Sequence, residues 1–330
     1  MITAVTGASG YIGGTVVRTL LAEGRAVRAI DLHRGPTLEG LDVEYTQTDI
    51  LDPESLDRAF SNVDVVYHLA AMISVAGEPS DQVWSLNVDG VGNVARAALS
   101  KNVRRVVHCS SVHAYDLEAD VTEVTETSPR TLNKSRPVYD RSKAAGEEKL
   151  RLAIDDGLDA VIVNPTGVIG PLDFAPSRMG RVFTALFANR LPALLDGGFD
   201  WVDVRDVAAS LLSAERHGVT AENYILPGHH ATLQQLADMA AKASGVQVTA
   251  PKVPMWVARA WSPMGNLFGR KSGNPLWYTS DALHALRFSP PVSGRKAAGE
   301  LTHSARSVQD SVNDIYDWFS RRGDLAAGGD

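Results

Sequence analysis

At 330 residues the chain exceeds a usual single domain and is long enough to bury a large core. A formal charge of −7 leaves no basic surplus for phosphate backbones, which argues against nucleic acid as a partner, and a single cysteine, Cys109, excludes an intrachain disulfide and fits a reducing, cytoplasmic setting. No window approaches the roughly 18 consecutive apolar residues of a membrane helix; the most apolar late stretch, residues 253–261, is cut by Pro254 and Arg259.

The opening residues Met1, Ile2, Thr3, Ala4, Val5 and Thr6 carry no basic leader region and read as a first strand running into glycines. Short apolar runs then alternate with helical patterns: helix at 15–22, strand at 26–30, helix at 53–60, strand at 63–69, helix at 88–100 and strand at 106–109. This order is the βαβ signature of a parallel sheet. The runs at 63–67, 106–109 and 160–163 are apolar almost throughout, as expected of strands covered on both faces. The predicted fold is therefore α/β, a Rossmann-type doubly wound parallel sheet formed by residues 1–170. Beyond Pro171, connections rich in Pro, Gly and Arg at 170–180 and 190–198 mark a smaller C-terminal substrate lobe over 171–330. Segments at 201–204 and 224–226 are expected to return to the main sheet, and the end at 325–330 to fray.

Between the first strand and helix, Gly7, Ser9, Gly10, Tyr11, Ile12 and Gly13 form a GxxGxxG turn. Tight turning, close approach to a pyrophosphate and close helix packing each require a missing Cβ, and the helix N-terminus offers free N–H groups to phosphates. The spacing departs from GxGxxG, so the strand before, the helix after and the acid downstream carry the inference. That acid is Asp31, near the ~20-residue offset at which a carboxylate accepts hydrogen bonds from an adenosine ribose. It favours NAD, while His33 and Arg34 keep NADP open. Asp49, just before Ile50, suits the adenine edge or is a loop acid.

Tyr139 and Lys143 lie four apart on one helical face, where an ammonium stabilises tyrosinate and draws the phenol toward a useful acidity. Ser110 and Ser111 end an apolar strand, where ligands bind in doubly wound sheets. Ser111 suits the reacting oxygen or a turn cap, and His113 faces substrate or packs. His229 and His230 lack a third ligand at metal spacing, and Arg205 with Asp206 reads as an ion pair or a helix entry.

Together with His68, Leu69, Ala70 and Ala71, with Asn87, Val88, Asp89 and Gly90, and with the stretch from Asn164 to Pro171, these motifs resemble an extended short-chain dehydrogenase/reductase. The second half is similar to the dihydroflavonol 4-reductase-like branch and its hopanoid-associated sugar-epimerase relatives. The resemblance implies that Ser111 polarises the substrate oxygen and that Tyr139 is the general acid or base. It gives Lys143 two roles, lowering the phenol and binding the nicotinamide ribose. It implies that Asn87 orders the active-site helix, that Ser110, Leu69, Ala70 and Ala71 line the cofactor, and that Pro165, Thr166, Gly167 and Val168 lie against the nicotinamide. Asn164 stands where close relatives commonly carry Arg, which puts one anchoring contact in doubt.

The resemblance leaves net hydride transfer to a carbonyl or secondary alcohol, nucleotide-sugar epimerisation without net redox change, and a silent dinucleotide sensor as alternatives. It also implies a homodimer acting on a small molecule. Arg259, Arg270 and Lys271 suit a diphosphate, whereas Trp256, Trp261, Phe268 and Trp277 suit an apolar pocket or the lobe's own core.

Overall fold

The computed structural model describes residues 1–73, 80–257 and 280–325. Strands β1 (Ile2–Thr6), β2 (Ala26–Asp31), β3 (Glu44–Gln47), β4 (Val65–His68), β5 (Arg105–Cys109), β6 (Ala160–Pro165) and β10 (Asn223–Leu226) form one seven-stranded sheet. Every pairing in it is parallel, in the order β3-β2-β1-β4-β5-β6-β10. The order reverses between β1 and β4, so the carboxyl ends of those two strands open the crevice where doubly wound sheets take ligands. The glycine turn follows β1 and the segment from Leu69 follows β4, which puts both at that crevice.

Successive strand residues feed opposite cores. Val65 and Tyr67 face α1 (Tyr11–Ala22) and α7 (Val204–His217) in one cluster with Val16, Leu20 and Leu211. Val66 faces the other way, into a cluster with Leu56, Val94 and Leu150 from α2 (Pro53–Ala59), α4 (Gly90–Ser100) and α5 (Val138–Asp155). Burying each such side chain stabilises the fold by about 1.5–3 kcal/mol, which is why these strands read as continuous apolar runs. The edge strand β3, with sequence Glu-Tyr-Thr-Gln, is half-exposed and carries no such run.

Residues 201–204 do not rejoin the main sheet, contrary to the sequence reading. Trp201 belongs to β9 (Gly198–Asp203), which pairs in parallel with β7 (Gly167–Ile169) and antiparallel with β11 (His229–Thr232); Val204 already opens α7. All six residues of β9 are buried because this small sheet is itself covered. An apolar run reports burial but not which sheet does the burying. The chain passes directly from β6 to β7 at Thr166, so one extended segment serves both sheets. The short strand β8 (Leu194–Leu195), α6 (Arg178–Phe187), α8 (Leu233–Ser244), β12 (Lys252–Val253) and the helix Val308–Arg322 complete the lobe around Phe183, Leu236 and Phe319.

Candidate active site

The turn after β1 is built by contacts that exclude side chains. Gly7 has φ +70, and a Cβ there would lie 2.7 Å from the Ala70 nitrogen; one on Gly13 would lie 2.0 Å from the Gly7 carbonyl oxygen. The helix α1 that follows has no side-chain cap and no acid in its first turn, so its N–H groups and positive dipole end suit an anion. Asp31 reaches the same turn: its carboxylate accepts from the Ser9 N–H at 2.9 Å and from Leu32 N–H at 2.8 Å. The Ser9 hydroxyl donates to the His33 carbonyl and accepts from Gly35 N–H, while Arg34 is exposed, 5.9 Å from the Tyr45 ring centre. These features fit a dinucleotide whose pyrophosphate lies on the turn and whose ribose meets Asp31. The Tyr11 phenol is committed elsewhere, donating to the Gly170 carbonyl at 2.6 Å and tying the turn to the second half of the chain. Asp49 accepts from Leu51 N–H at 2.8 Å, and Ile50 is buried where a Cβ on Gly90 would strike it.

At the exit of β4, His68 stacks on His108 of β5 with ring centres 5.1 Å apart, and its Nδ1 lies 2.7 Å from the Thr6 hydroxyl. Burial and the nearby Lys143 ammonium push His68 down to about 3, so it is a neutral structural group. Asn87 lies in a π-helical turn, Ser85–Asp89, ahead of α4. Its side chain accepts from Met72 N–H at 2.9 Å and donates to the Met72 carbonyl at 2.8 Å and to the Ser142 hydroxyl at 3.0 Å. Helix α5 approaches this turn so closely that a Cβ on Gly146 would lie 2.2 Å from the Asn87 oxygen.

Helix α5 brings Tyr139 and Lys143 over the end of β5. The Tyr139 phenol lies beside Ser111, which acts to lower its pKa. Ser111 also accepts from His113 N–H at 3.3 Å, so the serine caps its own turn while serving the phenol. Lys143 is buried and donates from Nζ to the Cys109 carbonyl at 3.3 Å; burial lowers its pKa below that of a free ammonium. Burial raises the phenol above its ordinary range, with Ser111 acting to lower it and Asp140 to raise it. The Ser110 hydroxyl is buried without a hydrogen-bond partner beside these groups, a polar atom left for a bound ligand.

Sequence reasoning missed the buried network behind Ser111. Asn164 donates to the Ser111 carbonyl at 3.0 Å and to Glu147 at 2.8 Å, and Asn223 donates to Glu147 and to Asn164, each at 2.8 Å. The Arg130 guanidinium, stacked over the Tyr115 ring, pairs with the same carboxylate. Arg130 comes from the loop before α5, so the position of Asn164 was the one signal available in the sequence.

Pro165, Thr166, Gly167 and Val168 run along the junction of the two sheets. The Thr166 hydroxyl donates to Asp200 at 2.6 Å, and a Cβ on Gly167 would lie within 2.7 Å of the Trp201 ring and 2.8 Å of the Phe199 ring. With the glycine turn, Asn87, Ser111, Tyr139 and Lys143 gathered on the carboxyl edge of one parallel sheet, the comparison with known proteins becomes decisive: residues 3–226 match the NAD dependent epimerase/dehydratase family.

The chain belongs to that family.

Members similar to it along nearly their whole length include sterol demethylase protein B of Methylococcus capsulatus, 31% identical over 98% of this chain and 99% of that protein. A putative dihydroflavonol 4-reductase of Synechocystis is 29% identical over 97% of this chain and 94% of that protein. The solved structure of gox2253 superposes with a TM-score of 0.84 at 30% identity, covering 98% of each chain.

Outside the dinucleotide crevice, Arg205 pairs with Asp203 at 2.8 Å and with Asp314 at 2.6 Å, and Asp206 accepts from Arg306 at 2.7 Å, fastening α7 to the C-terminal helix. His229 and His230 are exposed on β11, and no cluster of three metal-ligating side chains occurs among the described residues. Among those residues no helix is long and apolar enough to cross a membrane. Trp256 is exposed, while Arg259, Trp261, Phe268, Arg270, Lys271 and Trp277 lie outside the described residues, as does the terminus beyond Leu325.

Proposed function

We propose that this family member is an NAD-dependent reductase or dehydrogenase acting on a carbonyl or secondary alcohol of a small, apolar substrate. The observation that carries the reading is Ser111 set beside the Tyr139 phenol and Lys143 at the carboxyl end of β5, next to the glycine turn. Bound NAD supplies or accepts the hydride. Ser111 holds the substrate oxygen, Tyr139 gives that oxygen its proton on reduction and takes it back on oxidation, and Lys143 anchors the ribose and stabilises the charged phenol. Gly7, Gly10 and Gly13 admit the pyrophosphate, and Asp31 takes the ribose hydroxyls.

An apolar substrate is favoured by Phe199 and Trp201, whose rings pack against Gly167 on the nicotinamide side. The names of the two full-length relatives, one a sterol and one a flavonoid enzyme, point the same way. Purified protein given NADH and a panel of sterol ketones, dihydroflavonols and aryl aldehydes is expected to consume reduced cofactor, followed by its near-ultraviolet absorbance. Conversion of a nucleotide sugar to its epimer with no panel compound reduced would replace this reading with epimerisation.

Asp31 sets a preference for NAD, because a 2′-phosphate would meet its charge. Calorimetry is expected to show NAD binding at least about tenfold tighter than NADP, a difference near 1.4 kcal/mol, with Asp31→Ala narrowing the gap. Tighter binding of NADP by the unaltered protein would transfer the role to His33 and Arg34.

The protein is also expected to form an isologous dimer through the outward faces of α4 and α5, where Leu152 of α5 is 60% exposed. Light scattering at micromolar concentration checks this, and a monomeric mass would refute it.

A further inference from the structure

His113 and Asp140 form an ion pair beside Tyr139 that the proposed reaction does not yet use. The imidazole Nδ1 lies 3.2 Å from the Asp140 carboxylate, and the ring sits edge-on to Tyr139 with centres 5.8 Å apart. On its other side it stacks on Phe199, 5.7 Å away and nearly parallel. The residue is thus fixed by Phe199 of β9 behind the ring, by the Ser111 hydroxyl through the His113 backbone N–H, and by the first turn of α5 in front.

The groups around the pair decide which acid the imidazole serves. The cavity at His113 is lined by Asp116, Glu118, Arg136 and Asp140 and, from the helix Ser280–Arg287, by His284. Arg136 binds Asp116 at 3.0 Å and Glu118 at 2.7 Å, and His284 approaches Glu118 at 3.2 Å. Those two acids are therefore already compensated. Asp140, one residue after Tyr139 and buried, has His113 as its partner.

We propose that His113 and Asp140 are a positioning pair for Tyr139: while the imidazole keeps its proton, the Asp140 charge is neutralised and the neighbouring phenol ionises more readily; when the proton leaves, the bare carboxylate opposes tyrosinate. This rests on the reading of Tyr139 as the proton-transferring group. Burial alone would drive the imidazole toward its neutral form, but the nearby charge of Asp140 outweighs it and leaves His113 above the ordinary histidine range. The coupling to the phenol has the matching sign, since Asp140 is one of the groups that raise Tyr139.

The two partners therefore have different effects. Removing the carboxylate lets the phenol ionise earlier; removing the imidazole leaves the phenol onset where it was, since the imidazole has lost its proton by then, and removes instead the dependence of turnover on the imidazole proton. The full chain labelled with ¹³C at histidine Cε1 and tyrosine Cζ is to be titrated by NMR, with His113 assigned by the signal lost in His113→Gln and Tyr139 by that lost in Tyr139→Phe. His113 is expected to titrate above a free imidazole and to fall by about 1 pH unit in Asp140→Asn. The Tyr139 signal is expected to begin its shift at lower pH in Asp140→Asn than in the unaltered protein and at the same pH in His113→Gln, while turnover of a panel carbonyl is expected to step down through the His113 titration in the unaltered protein and to lose that step in His113→Gln.

A merely structural ion pair would leave the phenol onset unmoved by Asp140→Asn and the pH profile of turnover unmoved by His113→Gln. An imidazole that titrates at or below the ordinary value and ignores Asp140→Asn overturns the pair. A phenol whose onset does not fall in Asp140→Asn, or a turnover profile that keeps its step in His113→Gln, overturns the coupling. Full turnover by Tyr139→Phe would instead sink the catalytic reading of Tyr139 and leave these shifts as they are.

Discussion

Tyr139→Phe is expected to lose about 10²–10⁴-fold in turnover, equivalent to roughly 3–5 kcal/mol of barrier, with NAD affinity nearly unchanged. In the proposed mechanism the phenol acts on the substrate oxygen beside Ser111, so its removal deletes the proton without touching the glycine turn. Lys143→Ala is expected to damage both turnover and cofactor binding, since the ammonium, held at the Cys109 carbonyl, is proposed to anchor the nicotinamide ribose. Steady-state rates with a substrate from the carbonyl panel, alongside calorimetry with NAD, separate the two. A Tyr139→Phe protein turning over at the wild-type rate would end this mechanism.

Glu147→Ala is expected to cost on the order of 3–5 kcal/mol of stability. It strands the Arg130 guanidinium in a buried site and removes the acceptor of Asn164 and Asn223. A thermal unfolding midpoint lowered by several degrees is the expected readout. Because Asn164 also holds the Ser111 carbonyl, the folded fraction should turn over more slowly than wild type. An unchanged midpoint would mean that water replaces the carboxylate at no cost, and that the network is not what fixes the serine.

The parts of the fold visible in the sequence were those encoded locally. Doubly covered strands such as β4 and β5 announce themselves by uninterrupted apolar residues, and the turn after β1 by glycines whose Cβ atoms have no room. Tyr139 and Lys143 were legible because helical spacing alone puts them on one face. What was not legible depends on partners far apart in sequence. The edge strand β3 takes its identity from pairing with β2 rather than from its own residues. The apolar run of β9 says that it is covered, while its partners β7 and β11 come from separate stretches of chain. The same holds for Arg130, an unremarkable loop arginine until Glu147 and Asn164 close around it, and for Asp140, a helix-start acid until His113 is set against it.

The direct passage from β6 to β7 has a consequence for how this architecture can be recombined. The residues expected to flank the nicotinamide, Gly167 and Val168, are strand partners of Trp201 and Val202, so the wall of the cofactor site and the floor of the substrate lobe are a single hydrogen-bonded unit. A chimera joined after Pro171 would splice one protein's β7 onto another's β9 and set a foreign ring against Gly167. Joining within Thr166, before β7, transplants wall and floor intact. Exchange of substrate range between relatives therefore has its natural seam one strand earlier than the change in sequence texture suggests.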